Sequence, residues 1–284
     1  MPAWQCGNMA GRNWFNELHT PSSGILLEIG RPIAYRKSPY QEIWIFHNPL
    51  FGKVLVLDGC VMTTEKDEFF YHEMLAHPAL TTHPKPERVL IIGGGDGGTL
   101  REVLRYHEVK KATLVELDRE VVDLAKQHLP SLSESFSDPR SEVVIGDGAK
   151  FVKTAENGYD VVLIDSTDPV GPAEILFSEG FYRDIKSLLG KDGVLALQCE
   201  SPFLHMDFIK SQKKILSSIF GKVNFYNTVV PTYPGSLWSF AFASDTVDPL
   251  ELKRKPPEGL RYYDERVHRA AFTLPPFMRD ELEG

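Results

Sequence analysis

The stretch RVLIIGGGDGGTLREVL, residues 88–104, decides the fold. Arg88–Ile92 reads as a buried strand, and its apolar run is far too short to span a bilayer. The turn Gly93-Gly94-Gly95-Asp96-Gly97-Gly98 follows, and Thr99–Tyr106 reads as a helix. Gly93, Gly95 and Gly98 fit GxGxxG, a spacing at which residues without Cβ atoms let the backbone approach a nucleotide. A tight turn with no ligand reads the same way, so the motif alone is weak. Asp96 changes the reading, because a carboxylate inside the turn repels a diphosphate and favours a cationic ligand over a dinucleotide.

Towards the C-terminus, strands and helices alternate. Strand Ala112–Leu117 precedes helix Arg119–His128, and strand Glu142–Ile145 precedes helix Ala149–Thr154. Strand Asp160–Ile164 leads through a loop to helix Ser178–Leu189, and strand Gly193–Gln198 leads to helix His205–Phe220. Strands Val223–Val230 and Leu237–Ala243 have no helix between them and should pair antiparallel. The pattern predicts an α/β fold, a mostly parallel Rossmann-like sheet of the methyltransferase type, covered on both faces. Towards the N-terminus, Ile25–Ile29, Ile33–Tyr35, Glu42–Phe46, Val54–Leu57 and Cys60–Thr63 read as short strands between Gly, Pro and Asp-Gly turns. Residues 67–80 look helical and apolar on one side. Two domains are expected: a small antiparallel β domain over 1–66 and the Rossmann-like catalytic domain over 67–284.

The chain has 284 residues, 42% hydrophobic and 25% charged, the balance of an ordinary soluble protein. Its net charge of −8 comes without a cluster of Lys and Arg that would suit nucleic acid. An acidic surface favours cationic partners. The first twenty residues hold no continuous apolar stretch, so no secretory signal is expected. Cys6, Cys60 and Cys199 are scattered without a CxxC pair, which argues against a disulfide framework or a zinc site and for a reduced cytoplasm. His72 to His77 spells HExxxH, not HExxH, so the two rings do not share the helical face that zinc needs. No metal is expected, and His77 is read as structural.

Ligands of open parallel sheets sit outside the carboxyl ends of the strands. This chain places carboxylates there. Asp96 follows the first strand of the parallel series. Glu116 follows the second, about 20 residues beyond the glycines, where an acid accepts from ribose hydroxyls. Asp147-Gly148 follows the third, placed to meet an adenine. Asp165-Ser166-Thr167-Asp168-Pro169-Val170-Gly171-Pro172 follows the fourth, two carboxylates leading a Pro/Gly-rich loop. A capping role accounts for one Asp but poorly for the set. With no obvious Lys or Arg nearby, mutual repulsion is costly unless cations enter. The pattern implies a nucleoside with a positive tail and a positively charged second ligand.

These residues resemble the spermidine synthase family. The matching stretches are Tyr40-Gln41, LVLDG (55–59), TTEKDEFFYHEM (63–74), GGGDGGTLREV (93–103), VELD (115–118), GDG (146–148), DSTDPVGPAEILF (165–177) and PTYPGSLWSF (231–240). The resemblance runs from about residue 13 to about 280. It implies transfer of an aminopropyl group from decarboxylated S-adenosylmethionine, a co-substrate, to putrescine, giving spermidine and 5′-methylthioadenosine with no cofactor. Agmatine, cadaverine or spermidine are alternative acceptors, and methyl transfer from S-adenosylmethionine shares the fold. By resemblance, Asp165 is the base. Gln41, Asp96, Glu116, Asp147, Gly148 and Pro172 contact the donor. Tyr71, His72, Asp96, Asp165, Asp168, Gln198 and Tyr233 line the polyamine channel. Met62 stands where some members have Gln, and His72 likewise varies with Gln. The family also implies a homodimer or homotetramer joined through the β-rich N-terminal unit.

Overall fold

The computed structural model describes residues 7–9, 11–169 and 171–283; Cys6 and Val170 lie outside them. Strands β1 (Gly7–Met9), β2 (Arg12–Thr20) and β3 (Ser23–Glu28) form an antiparallel sheet. A second antiparallel sheet holds β4 (Arg31–Lys37), β5 (Glu42–Asn48), β6 (Gly52–Leu57) and β7 (Cys60–Thr64). Asp58 (φ 46°) and Gly59 (φ 86°) are both left-handed, the conformation a two-residue hairpin between Leu57 and Cys60 requires. The sequence reading missed β1 and β2. In β2, Asn13, Asn16, Glu17 and His19 are interspersed with Trp14, Phe15 and Leu18, so no clean alternation emerges.

Helix α1 (Glu68–Thr82) enters the large unit, followed by β8 (Arg88–Gly93), α2 (Gly98–Leu104), β9 (Lys111–Glu116), α3 (Arg119–His128) and the short α4 (Pro130–Ser133). Then come β10 (Ser141–Ile145), α5 (Gly148–Thr154) and β11 (Tyr159–Asp165). A 3₁₀ helix at Gly171–Phe177 precedes α6 (Glu179–Leu188), β12 (Leu189–Gln198) and α7 (Met206–Ser217). Strands β13 (Lys222–Val229) and β14 (Leu237–Ser244) and helices α8 (Glu265–Ala271) and α9 (Pro276–Glu283) complete the chain. The sheet order is β10-β9-β8-β11-β12-β14-β13. The first five run parallel and β14 is antiparallel to both neighbours, as the missing helix before it predicts. Strand order reverses between β8 and β11, where Gly93 lies beside Asp165. That switch point opens a crevice.

Helix α1 departs from the one-sided expectation, because it is buried nearly all round. Its polar residues have internal partners. Glu73 accepts the backbone N–H groups of Arg261 (2.8 Å), Tyr262 (2.9 Å) and Tyr263 (2.7 Å), which clamps the C-terminal segment over the helix. His77 lies 2.9 Å from the Tyr106 hydroxyl and 3.2 Å from Glu102, the structural role expected of it.

The second antiparallel sheet has two apolar faces. One packs Trp44, Phe46, Val54 and Val56 against Phe15 and Leu27 of the first sheet. The other packs Ile43, Ile45, Leu55 and Leu57 against Val121, Leu124, Leu129 and Leu132. This second contact seats the N-terminal unit over the crevice. Ile45→Ala is expected to cost about 2–5 kcal/mol of stability and to weaken donor binding by loosening that wall. Thermal unfolding and donor titration measure the two effects.

Candidate active site

A cavity of about 650 Å³ opens at the tips of β8, β9 and β11, with Tyr40, Gln41, Leu55, Leu57 and Met62 of the N-terminal unit as its opposite wall. The glycine turn explains how so many groups converge. A Cβ on Gly93 would lie 2.1 Å from the Asp165 carbonyl oxygen, and one on Gly94 2.7 Å from an Asp165 carboxylate oxygen. On Gly95 it would lie 2.8 Å from a Glu116 oxygen, and on Gly98 2.2 Å from the His72 ring. The turn therefore makes room for the site's own side chains, a use the GxGxxG reading did not anticipate. Gly93 (φ 84°) and Gly94 (φ 71°) are also left-handed.

One half of the cavity suits a nucleoside. The Glu116 carboxylate accepts the Asp118 N–H at 2.9 Å. Burial first, with Asp118 and Asp165 adding, pushes its pKa up to about 7. Asp147 caps α5, accepting from the N–H groups of Ala149 (2.9 Å) and Lys150 (3.2 Å). The Lys150 ammonium lies 3.4 Å from Asp147, so the rim does hold a cation that the sequence reading overlooked. Gly148 packs against Ile92, where a Cβ would meet the side chain at 2.6 Å. Gln41 donates its amide to Asp118 at 3.0 Å. Ile92, Val115, Leu117 and Leu176 supply apolar walls. Pro172 falls in the 3₁₀ helix, and its side chain lies outside the described residues.

The other half is organised around Asp165. One carboxylate oxygen accepts from the Tyr71 hydroxyl at 2.9 Å, the other from Thr99 at 2.6 Å. Burial raises its pKa; His72 opposes that shift and Asp96 adds to it. Asp96 accepts the Gly98 N–H at 2.7 Å and lies 3.6 Å from His72 Nε2. Burial would raise the Asp96 pKa, but His72, the Gly98 N–H and Arg101 together outweigh it and lower the pKa. For His72, burial works against the charge, yet Asp96 and Glu68 hold the pKa well above the usual histidine value. The ring is thus a built-in cation among the carboxylates, which tempers the expected repulsion. Tyr233 closes this side, donating to the Met62 carbonyl at 2.5 Å with its ring 5.6 Å from Tyr71.

Two candidates stand off the cavity wall. Gln198 braces the Asp165 loop, donating to the carbonyls of Ser166 and Thr167, both at 3.4 Å, while its oxygen accepts the Glu200 N–H at 3.0 Å. Asp168 instead lies close enough to Glu200 to act on its charge, and burial first and Asp168 second push the Glu200 pKa up to about 9. Glu17 of β2 joins them, with its pKa raised by burial to about 7. His19 lies 3.3 Å from Glu17, and burial lowers its pKa. Sequence reasoning missed both Glu17 and Glu200. Glu17 lies two residues beyond Phe15, and both are buried, so an acid sits on the apolar face of the strand. Glu200 adopts φ 65°, which no sequence pattern announced.

Fold and site together give a Rossmann-like, mostly parallel sheet whose switch-point cavity is lined by carboxylates. Residues 68–253 match the family model described as the spermine/spermidine synthase domain, and residues 13–65 match the spermidine synthase tetramerisation domain. A polyamine aminopropyltransferase of Moorella thermoacetica is 45% identical over 273 residues, covering 95% of this chain and 96% of the relative. One from Bacillus mycoides is 45% identical over 272 residues, covering 95% and 99%. A crystal structure of a spermidine synthase in complex with the transition-state analogue AdoDATO superposes with a TM-score of 0.92 at 44% identity, covering 95% of this chain and 94% of that one. Spermidine synthase from Thermotoga maritima gives a TM-score of 0.89 at 43% identity, covering 95% and 94%. The chain belongs to the spermidine synthase family and is a polyamine aminopropyltransferase.

Two outcomes follow from the site's packing and charge. Gly98→Ala drives a methyl into the His72 ring and is expected to lower turnover at least about tenfold, with a loss of roughly 1–3 kcal/mol from overpacking; steady-state kinetics and thermal unfolding check both. Glu200 has a raised folded pKa, so its contribution is fully present below the unfolded value of 4.5 and is lost as pH rises towards about 9. The Tm advantage of Glu200→Gln over the ligand-free parent should therefore widen as pH rises across that window. A constant difference would show that Glu200 does not hold its proton.

Proposed function

We propose that the chain transfers the aminopropyl group of decarboxylated S-adenosylmethionine to putrescine, giving spermidine and 5′-methylthioadenosine. The observation that carries this reading is the convergence of Asp96 and Asp165 on one cavity whose other half holds Glu116, Asp147 and Gly148. Glu116 would accept from the ribose hydroxyls, and Asp147 from the adenine amino group, with Gln41 bracing Asp118 nearby. Asp96 would hold the ammonium of the decarboxylated tail. The carboxylate of ordinary S-adenosylmethionine would meet Asp96 as a like charge, so the site selects its donor by repulsion as well as attraction.

The acceptor amine would lie against Asp165, with Tyr71 and Tyr233 flanking it. A diamine carries a second charge, and Asp168, further along the same loop and beside the buried acids Glu200 and Glu17, would accept it. A free alkyl amine at neutral pH costs roughly 4–5 kcal/mol relative to its ammonium. In the reaction its lone pair forms a bond to the propyl carbon beside the sulfonium. The C–S bond breaks, its electron pair goes to sulfur, and the proton passes from nitrogen to Asp165. The raised Asp165 pKa suits a group that must receive that proton. Alignment of the reactants would supply several kcal/mol more, up to roughly 7–11 in ideal cases. The leaving group is already activated, so the step as proposed draws on no metal or redox cofactor.

A cytoplasmic homodimer or homotetramer is the proposed working form. The match of residues 13–65 to a tetramerisation domain supports association through the N-terminal sheets, and Leu18 and Leu26 are exposed on β2 and β3. Among the described residues no helix is long and apolar enough to cross a membrane.

Incubation with the decarboxylated donor and putrescine, agmatine, cadaverine or spermidine, with products identified by mass spectrometry, ranks the acceptors by kcat/KM. Putrescine should lead. Asp165→Asn should lose turnover by about 10²–10⁴-fold while still binding donor; unchanged turnover would remove Asp165 as the base.

A further inference from the structure

The proposed chemistry assigns parts to Asp96 and Asp165 but not to the cation between them. The His72 ring is 3% exposed and fixed from every side. Its Nδ1 lies 2.7 Å from Glu68 of the same helix, and its Nε2 lies 3.6 Å from Asp96 of the glycine turn. Tyr71 meets the ring edge-on at 5.5 Å, and Gly98 of α2 leaves no space behind it. Asp165, at the end of β11, senses its charge.

Glu68 is itself held. Arg101 donates Nη2 to the same Glu68 oxygen at 2.8 Å, Nε to Glu102 at 2.7 Å and Nη1 to the Ser131 carbonyl at 3.2 Å. Glu102 is anchored in turn by Arg105 at 2.6 Å and His77 at 3.2 Å. Charges therefore alternate in an unbroken line: Asp96, His72, Glu68, Arg101, Glu102. Glu68, Arg101 and Glu102 do not line the cavity; Glu68 reaches it through the ring, and Arg101 also adds its charge to the field at Asp96.

We propose that Glu68 and Arg101 are positioning residues for the transfer reaction, seating the His72 imidazolium against Asp96 as a resident counter-cation that the donor's ammonium displaces. The proposal rests on the donor reading above. In the empty site the ring lets Asp96 and Asp165 both remain ionised. When the donor arrives, its ammonium takes over Asp96, and Glu68 keeps the ring in place instead of letting it swing into the cavity. Without Glu68, the buried imidazole keeps only Asp96 to hold its proton, and the two carboxylates are less well shielded. One of them then takes a proton, at the expense of donor recognition or of base strength.

The test is a double-mutant cycle with Glu68→Gln and His72→Gln. Alone, Glu68→Gln should lower kcat/KM for the decarboxylated donor by about 10- to 100-fold, the scale of one charge-assisted hydrogen bond. In the His72→Gln background the same change should cost less than about twofold. Independent, multiplying losses would mean that Glu68 is merely structural and would overturn the proposal. A second readout needs no turnover: NMR titration of the His72 ring in the ligand-free protein, assigned by its loss in His72→Gln. The ring should titrate at least about one pH unit lower in Glu68→Gln, and an unchanged midpoint refutes the idea. If the parent enzyme fails to use the decarboxylated donor, the donor reading falls while the titration still decides the role of Glu68. Should Glu68→Gln not fold, Arg101→Lys keeps the positive charge but cannot bridge Glu68, Glu102 and Ser131 together. It should show the same dependence on His72, and parent-like kinetics with a parent-like midpoint would overturn the proposal.

Discussion

Carboxylates crowded at one end of a sheet, away from water, are the constraint to which the rest of this molecule answers. Strand tips around the switch point carry acids, and burial makes Asp96, Glu116 and Asp165 costly to ionise alone. The structure relieves the cost locally. Asp165 receives two hydroxyl hydrogen bonds, Asp96 receives a backbone N–H and faces the His72 cation, and Asp147 is satisfied by the start of α5. What remains unbalanced is attraction for ammonium groups. On the proposed function, substrate recognition would thus be the completion of an electrostatic deficit between apolar walls.

The alternating strands and helices were legible because buried parallel strands read as short apolar runs bounded by Gly and Pro. Strand β8 and helix α3 fall where their patterns place them. The site was legible to the extent that strand tips are fixed by topology: Asp96, Glu116, Asp147 and Asp165 all reach the cavity. Three things escaped. The burial of α1 depends on a C-terminal segment whose N–H groups satisfy Glu73, a pairing across 188 to 190 residues of sequence. The acids Glu17 and Glu200 meet Asp168 only through tertiary packing, since one comes from an irregular strand and the other from a left-handed turn. The charge of His72 is set by Glu68 one turn earlier on its own helix and by Asp96 in the glycine turn, and the second of these contacts could not be read from its sequence position.

Glycine acquires an unusual meaning here. In many nucleotide sites a glycine turn is read as space left for a ligand. At Gly93, Gly94, Gly95 and Gly98 the missing methyl groups are replaced by Asp165, Glu116 and His72 of the same chain. The turn works as a hub on which strand tips and α1 are brought to within contact distance. Its sequence and the identity of the surrounding acids therefore form one mutually dependent unit.

Both halves of the cavity carry their acids on the parallel sheet, whereas Glu17 reaches the Asp168–Glu200 cluster, off the cavity wall, from a hairpin in the N-terminal unit. A hairpin of that kind tolerates drift without disturbing the glycine hub. On the proposed function, diversification of amine preference would thus have a separate evolutionary workshop, in which new acceptors are sampled while the residues assigned to breaking the C–S bond stay intact.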